Sequence, residues 1–370
     1  MKKILASKYR RFVLYFEIFI VLLLIPFAYN YLPVKEGTKI FYMPSSDPDY
    51  ITQTLKVNGY GVTWLDKMIL GLSKIPEEGW YSVEPAEHGR FQFFRNFYKY
   101  KSNDTMDIVV YAGETKHELT ARLANDMKLD QKKLLGTYQM LARFEEADIL
   151  AQRYTLARKA EEEETMKYIF LDSRRESRAF EREYFKHSPD KKELKIVYII
   201  ASIIQKESNS VEEMGLISSV IYNRLEKGMR LQMDGTLNYG KYAHTIVTPE
   251  RIKSDKSLYN TYKHKGLPPH PLSTVTIDAL KASMKPMPNE YLFFMLNEKG
   301  THDFSVTYVE HLENVSAFRE YQKKRKKLKE EERKEKEKKE EANSTNMIPS
   351  SKELPFKDNS VKINWNKVKL

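Results

Sequence analysis

The sequence of 370 residues contains no cysteine, so it can form neither a disulfide framework nor a cysteine-ligated metal site. That absence is compatible with any cellular compartment. The histidines and acidic residues show no metal-ligand spacing, and no glycine-rich phosphate loop is present. We therefore expect neither a metal ion nor a bound cofactor.

The chain also lacks a broad excess of positive charge, although its formal net charge is +11. Residues 1–11 contribute +5, and residues 322–343 contribute +4 through eleven Lys or Arg and seven Glu. About +2 remains for everything else, which argues against a nucleic-acid-binding face. The second cluster has no apolar stripe, so residues 323–370 are expected to form a solvated helix or a disordered tail.

One apolar run, Phe12–Leu32, is long enough to cross a bilayer, which takes about 20 residues. The basic flank at residues 1–11 favours a cytoplasmic N-terminus. The alternative is a cleaved signal peptide, but its apolar region is usually about 7–15 residues and is followed by a small-x-small site. No good site of that kind follows this run. We expect a single-pass anchor in the cytoplasmic (inner) membrane, with the rest of the chain outside.

The region after the apolar run contains a weak internal repeat with a step of roughly 70 residues. The copies begin with the strand-like segments KIFYM and DIVVYAG. Each continues with two helical segments, a second strand and another helix. Small βαα modules of this kind bind glycans or serve as spacers, and the pattern does not distinguish the two.

An unusually apolar segment, ASIIQKES, ends in Glu207. Ser188 and Pro189 suit a helix start, and positions 3, 4, 7 and 11 before Glu207 hold isoleucines on one helix face: Ile204, Ile203, Ile200 and Ile196. Lys206 falls on another side. A carboxyl group in apolar surroundings has a raised pKa and can act as a general acid. The alternative is an ordinary solvated helix end.

A second helix is expected from Ser210, with Glu213 completing a capping box and Lys227-Gly228 ending it. Residues 229–273 are irregular and rich in Asn, Asp and Tyr, which is typical of a ligand-binding loop. A helix ending at Pro286 and a β-hairpin around residues 297–300 follow.

Five segments of the C-terminal half occur in one order and spacing that resembles a known family: ASIIQKES, SSVIYNRLEKGMRLQMDGTLNYG, SLYNTYKHKGLPPHPL, ALKASMKP and YLFFMLNEKGTHDFSVTYVEH. They resemble the membrane-anchored endolytic murein transglycosylases, the MltG or YceG-like family. The resemblance covers about residues 190–321, and more loosely 36–190, where the family has LysM-like modules. It implies an α+β protein with an N-terminal transmembrane helix, small βαα modules and a mixed helical catalytic domain with a β-hairpin.

The resemblance implies that Glu207 is the catalytic acid/base. The reaction would cleave the bond between N-acetylmuramic acid and N-acetylglucosamine in nascent strands, leave 1,6-anhydro ends and terminate strand elongation. Six further residues are expected to bind substrate: Asn223, Gln232, Asp234, Tyr259, Asn260 and Tyr262. The alternatives are loop architecture for the first three and structural packing for the last three. His302, beside a turn, is more often structural.

Four departures from the family pattern are visible. Gly235 stands where the family usually has Pro, Leu258 replaces a Pro, His270 replaces a Gly, and residues 273–275 replace Asn-Pro-Gly. None removes the carboxylate, so any effect falls on sub-site preference.

The predicted domains are a cytoplasmic segment 1–11, a membrane helix 12–32, LysM-like modules 36–185, a catalytic domain 186–322 and a tail 323–370. The expected partners are glycan strands, the membrane and peptidoglycan synthases. Two other functions stay open: a catalytically silent, membrane-anchored glycan-binding scaffold, and an ordinary muramidase, which would leave reducing ends.

Overall fold

The computed structural model describes residues 2–84 and 89–345, with side chains described for 9–84, 89–337 and 339. Its first element is the long helix α1, Lys2–Asn30. Among the described residues, one helical segment is long and apolar enough to cross a membrane, and it runs from Tyr9 to Asn30. This finding fits the predicted anchor.

The first repeat comprises β1 (Ile40–Met43), α2 (Pro48–Val57), α3 (Trp64–Leu72), β2 (Gly79–Ser82) and α4 (Arg90–Arg95). The strands pair antiparallel, from Ile40 opposite Ser82 to Met43 opposite Gly79. We call this unit module 1. Helices α2 and α3 begin where the sequence supplies caps: the side chains of Asp47 and Thr63 accept hydrogen bonds from backbone N–H groups of the first turns. Aromatic side chains, stacked on one another, dominate its core.

The second repeat comprises β3 (Thr105–Val109), α5 (Lys116–Met127), α6 (Gln131–Leu141), β4 (Arg153–Ala157) and α7 (Glu162–Tyr184). Its strands also pair antiparallel, from Thr105 opposite Ala157 to Val109 opposite Arg153. We call this unit module 2. The predicted element order is confirmed in both copies, although α7 is much longer than α4.

The C-terminal region starts with two helices, α8 (Lys191–Glu207) and α9 (Val211–Glu226). Short helices α10 (Pro249–Ser254) and α11 (Ile277–Met284) follow, then the hairpin of β5 (Phe293–Leu296) and β6 (His302–Ser305). The predicted start of α8 at Ser188-Pro189 was wrong: Asp190 is the N-cap and forms a reciprocal capping box with Glu193.

The core around α8 and α9 also contains side chains from module 2: Phe144, Leu150 and, from α7, Phe180. Backbone hydrogen bonds join the same parts: Gly113 N–H donates to Thr274 O, Thr274 N–H to Glu114 O, and Ala151 N–H to Val275 O, at 3.1, 2.8 and 2.8 Å. Module 2 and the C-terminal region therefore pack as one unit.

The last described element is α12, Tyr308–Thr345, a 38-residue helix whose described side chains are mostly exposed beyond its first turns. Of the two alternatives for the charged tail, the solvated helix is the one seen up to residue 345. Residues 346–370 lie outside the described part of the chain.

Candidate active site

The apolar face of α8 brings Glu207 to the edge of the core. Ile200, Ile203 and Ile204 are buried, with exposed fractions of 1, 0 and 0%. Ile196 was expected to share their environment, but it is 40% exposed, whereas Leu194 and Val197 in the same turns are buried in the core. Glu207 is the last residue of the helix, and its side chain is partly accessible to solvent. A substrate can therefore reach it.

One carboxylate oxygen of Glu207 has a defined partner. The backbone N–H of Gly235 donates to Oε1 over 2.6 Å. Burial raises the pKa of Glu207 to about 7, this hydrogen bond opposes the shift, and nearby Asp234 adds to it. Glu207 is thus balanced between its protonated and ionised forms near neutral pH, as a group that both gives and takes a proton requires.

Gly235 approaches Glu207 so closely that a side chain would not fit there. A Cβ atom at this position would lie 2.8 Å from Glu207 Oε1 and 2.8 Å from the Cβ of Lys206. The departure from Pro at this position has a second consequence, since proline has no N–H to donate. Here the glycine supplies both the space and the donor.

Asp234 and Tyr262 form a pair beside Glu207. The Tyr262 hydroxyl donates to Asp234 Oδ1 over 2.7 Å, although the two residues are 28 positions apart. Burial, with the Asp234 carboxylate, raises the pKa of Tyr262 well above its ordinary value, so the phenol stays protonated. Sequence patterns suggested both residues, and the structure brings them together.

Tyr259 stacks on Tyr239, with ring centroids 4.1 Å apart and an interplanar angle of 16°. Both rings are partly exposed, so together they offer an apolar platform of the kind that can support a sugar ring. Tyr239 was not singled out from the sequence, although it lies in the polar, aromatic loop that was. Gln232 is exposed, and its backbone has a left-handed φ of 51°.

Asn260 and Asn223 use their side chains to hold other segments. Asn260 is fully buried and donates to the carbonyl oxygens of Ile252 and Asp255, both at 2.9 Å. Asn223 donates to the carbonyl oxygens of Asn289 and Tyr291, at 3.1 and 2.9 Å. These contacts fit the alternatives given for the two residues, which were loop architecture for Asn223 and structural packing for Asn260.

Arg224 was missed from the sequence, although it adjoins Asn223 in the same motif. Its side chain is buried, and its guanidinium donates to the carbonyl oxygens of Leu292, at 2.6 Å, and Leu231. It makes no ion pair with a described carboxylate, and its charge slightly favours the ionised form of Glu207. Arg224 thus links the loop at Leu231 to the hairpin region at Leu292, and it also acts on the charge state of Glu207.

His302 and Glu213 are bound to each other. The backbone N–H of His302 donates to Glu213 Oε1 over 2.5 Å, and the ring nitrogen Nδ1 of His302 lies 3.1 Å from Glu213 Oε2. The predicted capping box of Ser210 and Glu213 was wrong, because Ser210 makes no side-chain cap bond and Glu213 faces the hairpin instead. These contacts fit the structural role weighed for His302. Within residues 2–84 and 89–345 no group of three His, Asp or Glu could hold a metal ion.

This region of the protein therefore combines a partly accessible carboxyl group whose pKa is raised, the neighbouring Asp234–Tyr262 pair and a stacked pair of tyrosines. Such a carboxyl group can both give and take a proton near neutral pH. The chain belongs to the YceG-like family, whose model matches residues 46–317.

Curated relatives align with shorter segments. A protein named endolytic murein transglycosylase from Bacillus subtilis is 35% identical over 112 residues, which cover 30% of this chain and 31% of that protein. A protein of the same name from Streptococcus pneumoniae serotype 2 is 32% identical over 123 residues, or 32% of this chain and 22% of that one. The chain thus spans less than a third of the length of these relatives.

A crystal structure of a YceG-like protein from Listeria monocytogenes is also similar. It has 22% sequence identity and a TM-score of 0.47, with 74% of this chain and 97% of that chain covered.

Proposed function

We propose that this protein is an endolytic peptidoglycan lytic transglycosylase that cleaves the bond between N-acetylmuramic acid and N-acetylglucosamine. The observation that carries the proposal is Glu207, a carboxyl group with a pKa of about 7 at the open end of a buried helix. Membership of the YceG-like family and the names of the two curated relatives support it.

A single carboxyl group is enough for this reaction. Protonated Glu207 gives its proton to the glycosidic oxygen as the bond to the muramic acid C1 breaks. The 6-hydroxyl of the same sugar attacks C1, and the ionised Glu207 accepts the hydroxyl proton. The products are a free N-acetylglucosamine 4-hydroxyl and a 1,6-anhydro end. No water is consumed, in contrast to two-carboxylate hydrolysis.

The other predicted residues divide into two groups in this proposal. The first group, Gln232, Asp234, Tyr259 and Tyr262, binds the hydroxyl, N-acetyl and ring surfaces of the sugars. Asn223 and Asn260 act indirectly, because their amides already hold the neighbouring segments. Gly235 orients the Glu207 carboxylate.

The cellular arrangement is part of the same proposal. Residues 12–32 anchor the protein in the cytoplasmic membrane with residues 1–11 in the cytoplasm, so that the site faces nascent strands outside and cleavage ends their elongation. Residues 36–185 are LysM-like glycan-binding modules, 186–322 the catalytic domain and 323–370 a solvated tail. Synthases that supply the strands would be natural partners.

The test is product analysis. Purified full-length protein in detergent is incubated with glycan strands, and the products are examined by mass spectrometry. The proposal requires new 1,6-anhydro ends. Reducing ends would identify a muramidase, and unchanged strands that still bind the protein would identify a silent scaffold.

A further inference from the structure

A cavity of about 440 Å³ lies between module 2 and the beginning of α8. Six of the residues lining it carry the argument: Lys116, Tyr138, Arg143, Lys191, Lys195 and His270. Its volume falls in the usual range for small-ligand sites, about 300–1,000 Å³. It is separate from the Glu207 carboxylate, and none of its residues was predicted to bind substrate.

The cavity has two positive charges without partners. Lys116 is paired with Glu145 at 2.5 Å, and Arg143 with Asp148 at 2.7 Å, so these cations are already neutralised. No carboxylate of the described residues lies within ion-pair distance of Lys191 or Lys195. Glu145, which also lines the cavity, interacts with Lys195 at longer range, but the four cationic side chains of the lining still outnumber it. Burial, together with Lys195, lowers the pKa of His270, so its ring adds neutral hydrogen-bonding atoms. The uncompensated charge favours an anionic ligand.

A buried hydroxyl provides an independent indication. Tyr138 lines the cavity and is 1% exposed, and its hydroxyl has no hydrogen-bond partner among the described residues. Burial and the charges of Glu146 and Asp148 raise the pKa of Tyr138 well above its ordinary value, so the group remains a donor. An unpaired buried donor is costly, and a ligand oxygen would satisfy it.

Residues of the cavity interact electrostatically with the stacked tyrosines. Tyr239, the partner of Tyr259 in the stack, is within electrostatic reach of Lys116 and Tyr138. Tyr259 is likewise within reach of Glu145. A strand lying on the two tyrosines would therefore lie near the cavity. Its sugars are uncharged apart from the muramic acid side group, which in peptidoglycan bears a short peptide with free carboxylates.

We propose that this cavity binds a carboxylate of the peptide attached to the glycan strand, through Lys191, Lys195 and the Tyr138 hydroxyl. The inference rests on the proposed function, since it takes the glycan strand as the ligand of the platform. His270, which stands where the family usually has Gly, lines this cavity and in this proposal contributes to the selection of strands that carry peptides.

The test compares strands with free peptide carboxylates and the same strands with those carboxylates converted to amides. The full-length protein should show a KM about tenfold lower for the carboxylate form, as charge-assisted hydrogen bonds imply. Lys191→Gln combined with Lys195→Gln should abolish this ratio. Lys192→Gln, the same change on an exposed position of α8 outside the cavity, should retain it.

Tyr138→Phe removes only the hydroxyl and should reduce the same ratio without loss of thermal stability. Equal KM values for the two strand forms with unmodified protein would overturn the inference, as would equal competition by inorganic phosphate and free peptide. If neither strand form yields 1,6-anhydro ends, the proposed function fails. Sedimentation of the protein with the two strand forms would then still decide whether the cavity distinguishes them.

Discussion

Replacing Glu207 by Gln tests the proton transfer directly. Gln keeps the size of the side chain and can still accept the Gly235 N–H bond, but it can neither donate nor accept the proton. Positioned acid–base groups contribute about 10²–10⁴-fold to rate, so formation of 1,6-anhydro ends should fall at least about a hundredfold.

The same substitution should stabilise the fold, by an amount that depends on pH. The pKa of Glu207 is about 7 in the folded protein against an ordinary value of 4.5. Because the folded state holds this proton more tightly than the unfolded chain, the free energy of unfolding falls as pH rises from about 4.5 to about 7. Gln escapes that loss, so its advantage should approach about 3 kcal/mol at pH 8 and stay below about 1 kcal/mol at pH 5.

Denaturant unfolding of both proteins at pH 5 and pH 8, alongside product analysis, measures both effects. An equal stability difference at the two pH values would show that Glu207 has an ordinary pKa. Asp234→Asn is the matched control: in a one-carboxylate mechanism it weakens binding, and whatever product forms still has 1,6-anhydro ends. If Glu207→Gln retains activity while Asp234→Asn abolishes it, the acid has been assigned to the wrong residue.

Three further changes probe other parts of the chain. Gly235→Ala places a Cβ 2.8 Å from Glu207 Oε1, and we expect it to lower the free energy of unfolding by about 1–3 kcal/mol. Because the N–H bond to Glu207 weakens, the pKa of Glu207 should rise and the alkaline limb of the pH–rate profile should move to higher pH. An unmoved limb would mean that this hydrogen bond does not tune the acid. Asp66→Ala leaves the buried Arg90 guanidinium, 2.5 Å from Asp66, without its carboxylate partner. The free energy of unfolding, measured with denaturant, should fall by about 3–5 kcal/mol, and a loss below about 1 kcal/mol would contradict this. Truncation after Gln322 should leave cleavage intact, and a folded but inactive product would place the tail in the site.

Features with a local cause could be read from the sequence. The isoleucine spacing correctly predicted the burial of Ile200, Ile203 and Ile204 but was wrong for Ile196. It also predicted the position of Glu207 at the helix end, and turn residues predicted the hairpin of β5 and β6. The repeat order followed from strand and helix patterns. Local rules failed where another segment competed: Glu213 suited a cap for α9, but His302 on the hairpin offers it two contacts.

The partners of Glu207 could not be predicted in this way. Gly235 lies 28 positions further on, in an irregular loop, and no periodicity relates the two. The same holds for the contact of Tyr262 with Asp234 and for the stack of Tyr239 on Tyr259. Loop conformation depends on anchors such as the buried amide of Asn260, which only the folded chain reveals.

The contacts between modules also bear on whether they are spacers. At the end of α1, the Tyr29 hydroxyl donates to Asp66, which binds Arg90 within module 1. Module 1 then reaches module 2 through Trp80 Nε1, which donates to the carbonyl oxygen of Thr155 over 2.8 Å.

Module 2 in turn contacts the residue next to the proposed acid, since Lys206 Nζ donates to the carbonyl oxygen of Gly113 over 3.1 Å. Packed contacts therefore run without interruption from the apolar helix to the end of α8. A flexible tether would let Glu207 sample many distances from the apolar helix, whereas a packed series of modules holds it at a single distance. The two modules therefore do more than fill space between α1 and α8, because their contacts fix the position of Glu207 relative to the apolar helix.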